Sequence, residues 1–185
     1  MIFGFDFDNT LINYDKVFFN EALKENLISK KIKKKKINIK NNIPKKKNLK
    51  AWQNLQSIVY SKKINYAVPN RELLSVLKLL TKNKIKYFVV SHKTKFPYFG
   101  NKINMHEISR KWLDNNIFNK KNNIKKCDYF FEETIPNKIK RIKKLKITHF
   151  VDDLKEIINL LPKNINGVLY KKGIFNIQSI KKLLK

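Results

Sequence analysis

The chain has 185 residues and a strongly basic composition, with 42 lysine and arginine residues, 14 aspartate and glutamate residues and a formal net charge of +28. This length supports one domain, or one domain with a small insertion. No apolar run reaches the roughly 18 residues of a membrane span, and no basic segment precedes an apolar one as in a secretory signal, so we expect no membrane partner. Cys127 is the only cysteine, which excludes an intrachain disulfide and fits a reducing, cytoplasmic location.

The high positive charge has two interpretations. It would favour salt-dependent binding to nucleic acid. It would also follow from an AT-rich coding sequence, because lysine is accompanied by many asparagine and isoleucine residues. The only arginines are Arg71, Arg110 and Arg141, although arginine is the better residue for forked recognition of phosphates and bases. We favour the coding bias, so nucleic acid is not the favoured partner.

The first eleven residues carry the most informative pattern. Residues 1–7 form an apolar run broken by Gly4 and Asp6, which predicts a short strand buried on both faces, as in a parallel sheet. The run ends in two carboxylates, Asp6 and Asp8. Burying an unpaired carboxylate costs roughly several kcal/mol, so the pair suggests a cation at the sheet edge where ligands bind in open α/β folds. The alternative is a turn that merely closes the strand.

The segment that follows is predicted to be largely helical. Residues 14–29 and residues 51–60 carry apolar side chains near helical spacing. Between them, residues 30–50 are rich in lysine and asparagine, which predicts an exposed, flexible loop or a frayed helix.

A second strand and a polar loop come next. Asn70 is a predicted N-cap for a helix over residues 71–82, and this helix leads into an apolar strand over residues 85–90. Ser91 follows this strand directly and opens a loop, ending at Gly100, that is too polar for core and too aromatic for a plain linker.

The last third of the chain adds a lysine and two more carboxylates. Lys138 lies at the start of a predicted helix, and a strand over residues 149–151 ends in Asp152 and Asp153. Further strands are predicted at residues 128–131 and 167–170, and a terminal helix at residues 176–185. Because strands and helices alternate, we expect a mainly parallel sheet.

The order of these features resembles the four motifs of the haloacid dehalogenase (HAD) superfamily of phosphohydrolases: strand with DxDxT, strand with serine, lysine, strand with paired aspartates. The resemblance extends from residue 2 to about residue 170. It implies an α/β, Rossmann-like, mainly parallel sheet with helices on both faces, formed by residues 1–12 and 71–185. Residues 13–70, where the resemblance is weakest, would form a small helical cap inserted after the first strand, with a Lys-rich flexible segment near residues 30–50.

The resemblance also implies a chemistry for the matching residues. The chain would be a Mg²⁺-dependent phosphomonoester hydrolase acting on a small phosphorylated metabolite such as a phosphosugar. Asp6 would be the nucleophile that forms an aspartyl-phosphate, and Asp8 the general acid and base. Asp6, the backbone carbonyl of Asp8, and Asp152 would bind Mg²⁺. Asp153 would support these ligands from outside the coordination shell, which is the role that the resemblance favours, or would act as an N-cap for the segment from residue 154 onward, and the two roles are compatible. Ser91 would donate to the phosphoryl oxygens.

Lys138 would bridge the nucleophile and the phosphate, by the same resemblance. Thr10, His92 and Lys93 are predicted to contact the substrate. The stretch SHKTKFPYFG, which begins at Ser91, resembles a bacterial subgroup of the superfamily associated with surface-polysaccharide genes. Three alternatives stay open, namely a phosphatase acting on polynucleotide ends, a phosphomutase, and a non-catalytic binding protein of the same fold. Because all the expected catalytic positions are filled, the last is disfavoured.

Overall fold

A computed structural model of the chain describes residues 1–44, 48–175, 178 and 180. The chain divides into two compact units. Unit 1 comprises Met1–Ile12, Pro69–Thr94 and Leu113–Lys185, and unit 2 comprises Asn13–Val68 and Lys95–Trp112. Within the described residues, no helix has the length and apolar character needed to cross a membrane. The cap function predicted for residues 13–70 stays a prediction.

Strands and helices alternate along most of the chain. In chain order the elements are β1 (Ile2–Phe5), β2 (Ile12–Asn13), α1 (Asp15–Lys24), α2 (Lys36–Asn42), α3 (Asn48–Tyr60), a 3-10 helix (Ile64–Tyr66), β3 (Val68–Pro69), α4 (Arg71–Lys82), β4 (Lys86–His92), α5 (Met105–Asn116), a second 3-10 helix (Lys120–Asn122), β5 (Tyr129–Glu132), α6 (Ile135–Lys144), β6 (His149–Asp152), α7 (Lys155–Leu160) and β7 (Asn166–Leu169).

The sheet of unit 1 has five strands in the order β5-β4-β1-β6-β7. Every neighbouring pair in this sheet is parallel, which confirms the predicted α/β class with a parallel sheet. β1 lies at the centre, between β4 and β6. Because parallel strands all end at one edge, the residues that follow β1, β4 and β6 are brought together there.

The register of the strands sets the position of each site residue relative to the ends of the neighbouring strands. Phe5 pairs with Val89 on β4 and with Val151 on β6, so Asp6 stands one residue beyond both pairs. The sequence placed Ser91 just after the second strand, whereas the structure places it inside β4. β4 is longer than predicted because Ser91 and His92 continue the pairing with β5, opposite residues 131 and 132.

One hydrophobic cluster packs helices onto the sheet of unit 1. Its buried members are Phe88, Val90, Ile142, Ile147, Phe150, Ile157 and Ile165. Gly4 is needed where this cluster meets the central strand, since a Cβ at residue 4 would lie 2.6 Å from Phe150 Cδ2 and 2.7 Å from Ile147 Cδ1. The apolar run of β1 therefore contains glycine for reasons of packing, not of backbone conformation.

Unit 2 has a separate core built from aromatic rings. The Phe18 ring of α1 stacks on Trp52 of α3 with centroids 5.2 Å apart. Tyr60, at the end of α3, meets Phe18 edge-on at 5.5 Å and Tyr14 at 4.9 Å. These contacts pack α1 against α3, which agrees with the helical prediction for both segments.

One segment differs from its sequence-based prediction, and another lies largely outside the described residues. Lys36–Asn42 form helix α2 where a loop or a frayed helix was expected. The helix packs because Ile39 is fully buried, and its first N–H is held by Asp15 Oδ1 at 3.0 Å. The terminal helix predicted at residues 176–185 lies outside the described residues, apart from residues 178 and 180.

Candidate active site

β1 brings Asp6 to the carboxyl edge of the sheet. The Asp6 N–H donates to the Val151 carbonyl of β6 at 2.9 Å, so residue 6 continues the ladder beyond the strand. The residue is 5 % exposed. On its other side, Ser91 Oγ donates to Asp6 Oδ1 at 2.9 Å. The carboxylate is thus fixed by a backbone hydrogen bond on one neighbouring strand and a side-chain hydrogen bond on the other.

Lys138 bridges two carboxylates from different strands. Its Nζ lies 2.6 Å from Asp6 Oδ1 and 2.6 Å from Asp152 Oδ2. Lys138 is 2 % exposed and Asp152 is fully buried. The lysine comes from the first turn of α6, whose N-terminus is capped by Thr134 through a hydrogen bond from the Asn137 N–H. A buried ammonium needs paired carboxylates of this kind, because its desolvation is otherwise uncompensated.

Burial and mutual charge both shift the pKa values in this cluster. Burial alone lowers the pKa of Lys138, but the carboxylates of Asp6 and Asp152 outweigh burial, and the net pKa is raised. Burial, followed by the Asp6 charge, raises the pKa of Asp152, and Lys138 opposes this shift only in part. The cluster therefore holds more negative charge than one lysine compensates, and a further cation would stabilise it.

The donor set fits Mg²⁺. Carboxylate oxygens of Asp6, Asp152 and Asp153 all lie within 4.8 Å of one another. Opposite ligands of a Mg²⁺ octahedron are about 4.2 Å apart, at ligand distances near 2.1 Å, and hard carboxylate oxygens are what this ion prefers. Small side-chain shifts would therefore let Asp6 and Asp152 share one ion, with Asp153 beside them.

Asp8 is held by a second buried lysine. Lys93 Nζ lies 3.0 Å from Asp8 Oδ1 and 2.8 Å from Asp8 Oδ2, so the ammonium contacts both carboxylate oxygens. The Lys93 side chain is 2 % exposed and that of Asp8 is 17 % exposed. Both residues are candidate site residues from the sequence, which contains no signal that they pair with each other.

The turn after Asp8 is stabilised by Asn70, for which the sequence predicted only a role as an N-cap. Asn9 adopts a left-handed backbone conformation, with φ 61°. Asn70 Nδ2 donates to the carbonyl of Thr10 at 2.5 Å and to that of Asn9 at 3.3 Å. The Asn70 N–H donates to the Leu11 carbonyl at 2.9 Å. Asn70 does occupy the N-cap position of α4, but its side chain makes no capping hydrogen bond.

Thr10 belongs to the same turn and is fully buried. Its Oγ1 has no hydrogen-bond partner among the described residues, so this hydroxyl would be available to a ligand or a water. His92 is exposed at the end of β4, where its Nε2 lies 3.1 Å from the Glu133 carbonyl. Substrate contact by these two residues stays a prediction.

Asp153 was offered two roles, as a support for the metal ligands or as an N-cap. The structure excludes the cap, because the N-cap position of α7 is Leu154. The Leu154 N–H is instead bound by Asp152 Oδ1 at 2.9 Å. The Asp153 carboxylate lies with Asp6 and Asp152, and its role beside the metal ligands stays a prediction.

The candidate residues thus form two clusters within unit 1. The first contains Asp6, Ser91, Lys138, Asp152 and Asp153, and the second contains Asp8 and Lys93. The residue that sequence reasoning missed is Asn70, whose only signal was an asparagine at a helix start.

Several solved structures resemble this one. A HAD-superfamily hydrolase from Ehrlichia chaffeensis matches with a TM-score of 0.52 and 16 % identity over 99 % of this chain and 95 % of that chain. A haloacid dehalogenase-like hydrolase from Streptococcus pneumoniae matches with a TM-score of 0.59 and 12 % identity over 98 % and 89 %. A hydrolase from Pseudomonas syringae matches with a TM-score of 0.50 and 15 % identity over 98 % and 90 %.

At the level of sequence, no protein-family model and no curated protein matches the chain. The similarity at these low identities is one of fold, and the association with surface-polysaccharide genes stays a prediction. The motif order read from the sequence and the solved structures agree on the architecture, and this chain therefore has the α/β fold of the haloacid dehalogenase superfamily.

Proposed function

We propose that the chain is a Mg²⁺-dependent phosphomonoester hydrolase that works through an aspartyl-phosphate on Asp6. The observation that carries the proposal is the Lys138 ammonium held 2.6 Å from both Asp6 and Asp152 at the carboxyl edge of the sheet. A buried carboxylate that has a fixed orientation and an ammonium group beside it can act as an activated nucleophile. The HAD fold, which this chain shares with the hydrolases from Ehrlichia chaffeensis and Streptococcus pneumoniae, supports this assignment.

The charge balance suits a phosphate ester with a divalent cation. Four carboxylates, of Asp6, Asp8, Asp152 and Asp153, accompany two ammonium groups, of Lys93 and Lys138. With all four carboxylates ionised, the formal surplus is two negative charges. With Asp8 protonated for the first step, the surplus is one, and Mg²⁺ would then leave a net positive charge for the phosphoryl group. When bound by Asp6, Asp152 and the Asp8 carbonyl, Mg²⁺ supplies compensation for the charge of the phosphoryl oxygens.

In the first step, a carboxylate oxygen of Asp6 attacks phosphorus, and the bond from phosphorus to the ester oxygen breaks. Asp8 gives its proton to the departing oxygen, so that an alcohol leaves. Ser91 and Lys138, which donate to Asp6 Oδ1, would donate to phosphoryl oxygens as charge develops on them.

In the second step, water attacks the phosphorus of the aspartyl-phosphate. Asp8, now a carboxylate, takes a proton from this water, and the bond from phosphorus to Asp6 breaks. Phosphate leaves with Asp6 restored as a carboxylate. Thr10 and His92 would contact the substrate, and a small phosphorylated metabolite such as a phosphosugar is the proposed class. A phosphomutase would share the first step and return the phosphoryl group to its substrate instead of to water.

A panel of phosphomonoesters tests the proposal. We expect phosphate release from at least one sugar phosphate in the presence of Mg²⁺, its loss with EDTA, and its return when excess Mg²⁺ is added. Products of a phosphomutase would retain the phosphoryl group and would be separated by chromatography. A purified, folded chain that hydrolyses no member of the panel with any divalent metal would contradict the proposed function.

A further inference from the structure

Lys93 is a buried cation whose partner is the proposed acid and base. Its Nζ contacts both oxygens of Asp8, at 2.8 Å and 3.0 Å, and its side chain is 2 % exposed. Burying a lysine this deeply costs desolvation free energy unless its charge is paired with an opposite charge. The contact is therefore a fixed part of the folded chain, unlike the many lysines of this sequence whose charges lie in solvent.

The backbone and surroundings of Lys93 are also fixed. Its N–H donates to the Glu132 carbonyl at 2.8 Å, which extends the pairing of β4 with β5 by one residue. Its Nζ lies 5.5 Å from the centre of the Phe7 ring, and Phe7 is fully buried. Strand pairing and an aromatic neighbour thus confine the ammonium to the position of the Asp8 carboxylate.

We propose that Lys93 is a positioning residue that acts through Asp8. By contacting both oxygens, Lys93 holds the carboxyl group in the one orientation that serves both proton transfers. When Asp8 carries a proton on one oxygen, the other oxygen still accepts from Lys93. This inference rests on the proposed function, and it differs from the prediction that Lys93 contacts the substrate.

A double-mutant cycle with Lys93→Met and Asp8→Asn separates the two roles. Methionine keeps the length and apolar character of the stem but removes the donors. If Lys93 acts through Asp8, we expect Lys93→Met to lower kcat about 10-fold or more, within the 10²–10⁴-fold value of general acid–base catalysis. KM should change little. In the Asp8→Asn background, the same substitution should change kcat by no more than about twofold, because its effect is already lost.

The dependence on the leaving group gives a second readout. Phenyl phosphate needs protonation of its leaving oxygen far more than 4-nitrophenyl phosphate does. The loss of kcat/KM, which reports the first step in which the alcohol leaves, should therefore be larger for phenyl phosphate in Lys93→Met, as in Asp8→Asn. A merely structural defect would lower both rates alike. Lys93→Arg, which can still donate to both carboxylate oxygens, should recover part of kcat.

Matched controls keep the outcome clear. Lys86→Met removes an exposed lysine from the other end of β4 and should leave kcat and KM unchanged. If Lys93→Met does not fold, Lys93→Gln, which keeps one donor, takes its place in the cycle.

Two results would overturn the inference while the proposed function stands. In the first, Lys93→Met loses as much activity in the Asp8→Asn background as in the wild type, mainly through KM, which would indicate direct substrate binding. In the second, Lys93→Met has wild-type kcat. A wild-type chain with no hydrolysis of any ester would overturn the proposed function and this inference with it.

Discussion

Asn70 shows at the scale of one residue how the turn after Asp8 is held. Its amide donates to two carbonyls of that turn and its N–H to a third. Asn70→Ala would leave buried carbonyl groups without donors, which typically costs about 1–3 kcal/mol. We therefore expect a lower free energy of unfolding in urea, together with reduced activity because residues 9–11 lie next to Asp8.

The control lies at the other end of the same helix. Asn83 donates its side-chain amide to the Leu79 carbonyl at 2.8 Å, but it is exposed. Asn83→Ala should change stability by no more than about 0.5 kcal/mol. Equal destabilisation by the two variants would contradict the assigned role of Asn70.

Neither the Asn70 contacts nor the pairing of Lys93 with Asp8 could be predicted from the sequence. An asparagine before a helix is ordinarily a cap, and the local pattern contains no signal that its amide would reach a turn some 60 residues earlier. Lys93 resembled any other lysine of a lysine-rich chain. Both contacts depend on the paths of loops, which hydrophobic periodicity does not determine.

At the scale of elements, the sequence was far more informative. β1, β4 and β6 are recognisable as apolar runs, and parallel pairing places Asp6, Ser91 and Asp152 at one edge whatever the loops do. The end of β4 was harder to predict, because Ser91 is polar, although it is buried with its hydroxyl hydrogen-bonded to Asp6. Helix α2 was predicted only as a loop or a frayed helix, because its lysines and asparagines are interrupted only by isolated isoleucines.

The packing of β1 leads to a prediction about stability. Gly4→Ala would place a methyl group within 3 Å of Phe150 and Ile147, and over-packing of this kind typically costs about 1–3 kcal/mol. For a chain of this size, we expect Tm to fall by roughly 2–4 °C per kcal/mol.

A compensating substitution tests the cause of that loss. Ile147→Val removes the Cδ1 atom that the new methyl group would meet. In the double variant Gly4→Ala/Ile147→Val, the loss in the free energy of unfolding should be smaller than the sum of the losses in the two single variants. Strictly additive losses in a thermal melt would show that the contact with Ile147 is not the cause.

For the whole molecule, the net charge of +28 is the property with two interpretations. Tyr98 is 69 % exposed and Phe96 is 41 % exposed, and Lys95 Nζ lies 5.7 Å from the centre of the Phe96 ring. Exposed aromatic rings beside lysines are the feature that would allow bases to stack. This loop is the observation that favours the polynucleotide-end phosphatase as a second candidate.

Binding to a random single-stranded DNA distinguishes the two candidates. If the charge is mostly coding bias, we expect only weak binding at physiological salt. A sub-micromolar Kd with a steep dependence on salt concentration, and its loss in Tyr98→Ala, would favour polynucleotide ends over small metabolites.

The most direct test of the account compares Asp6→Asn with Asp8→Asn. Asparagine at residue 6 preserves size but removes the nucleophilic anion, so activity should fall to background and no phosphate should remain on the protein. Asparagine at residue 8 keeps the nucleophile but removes the acid and base, so an aryl phosphate should give a burst of released alcohol followed by slow turnover. Intact-protein mass spectrometry should then find phosphate on the Asp8→Asn chain. Phosphatase activity retained by Asp6→Asn would contradict the mechanism, because the nucleophile would then lie elsewhere.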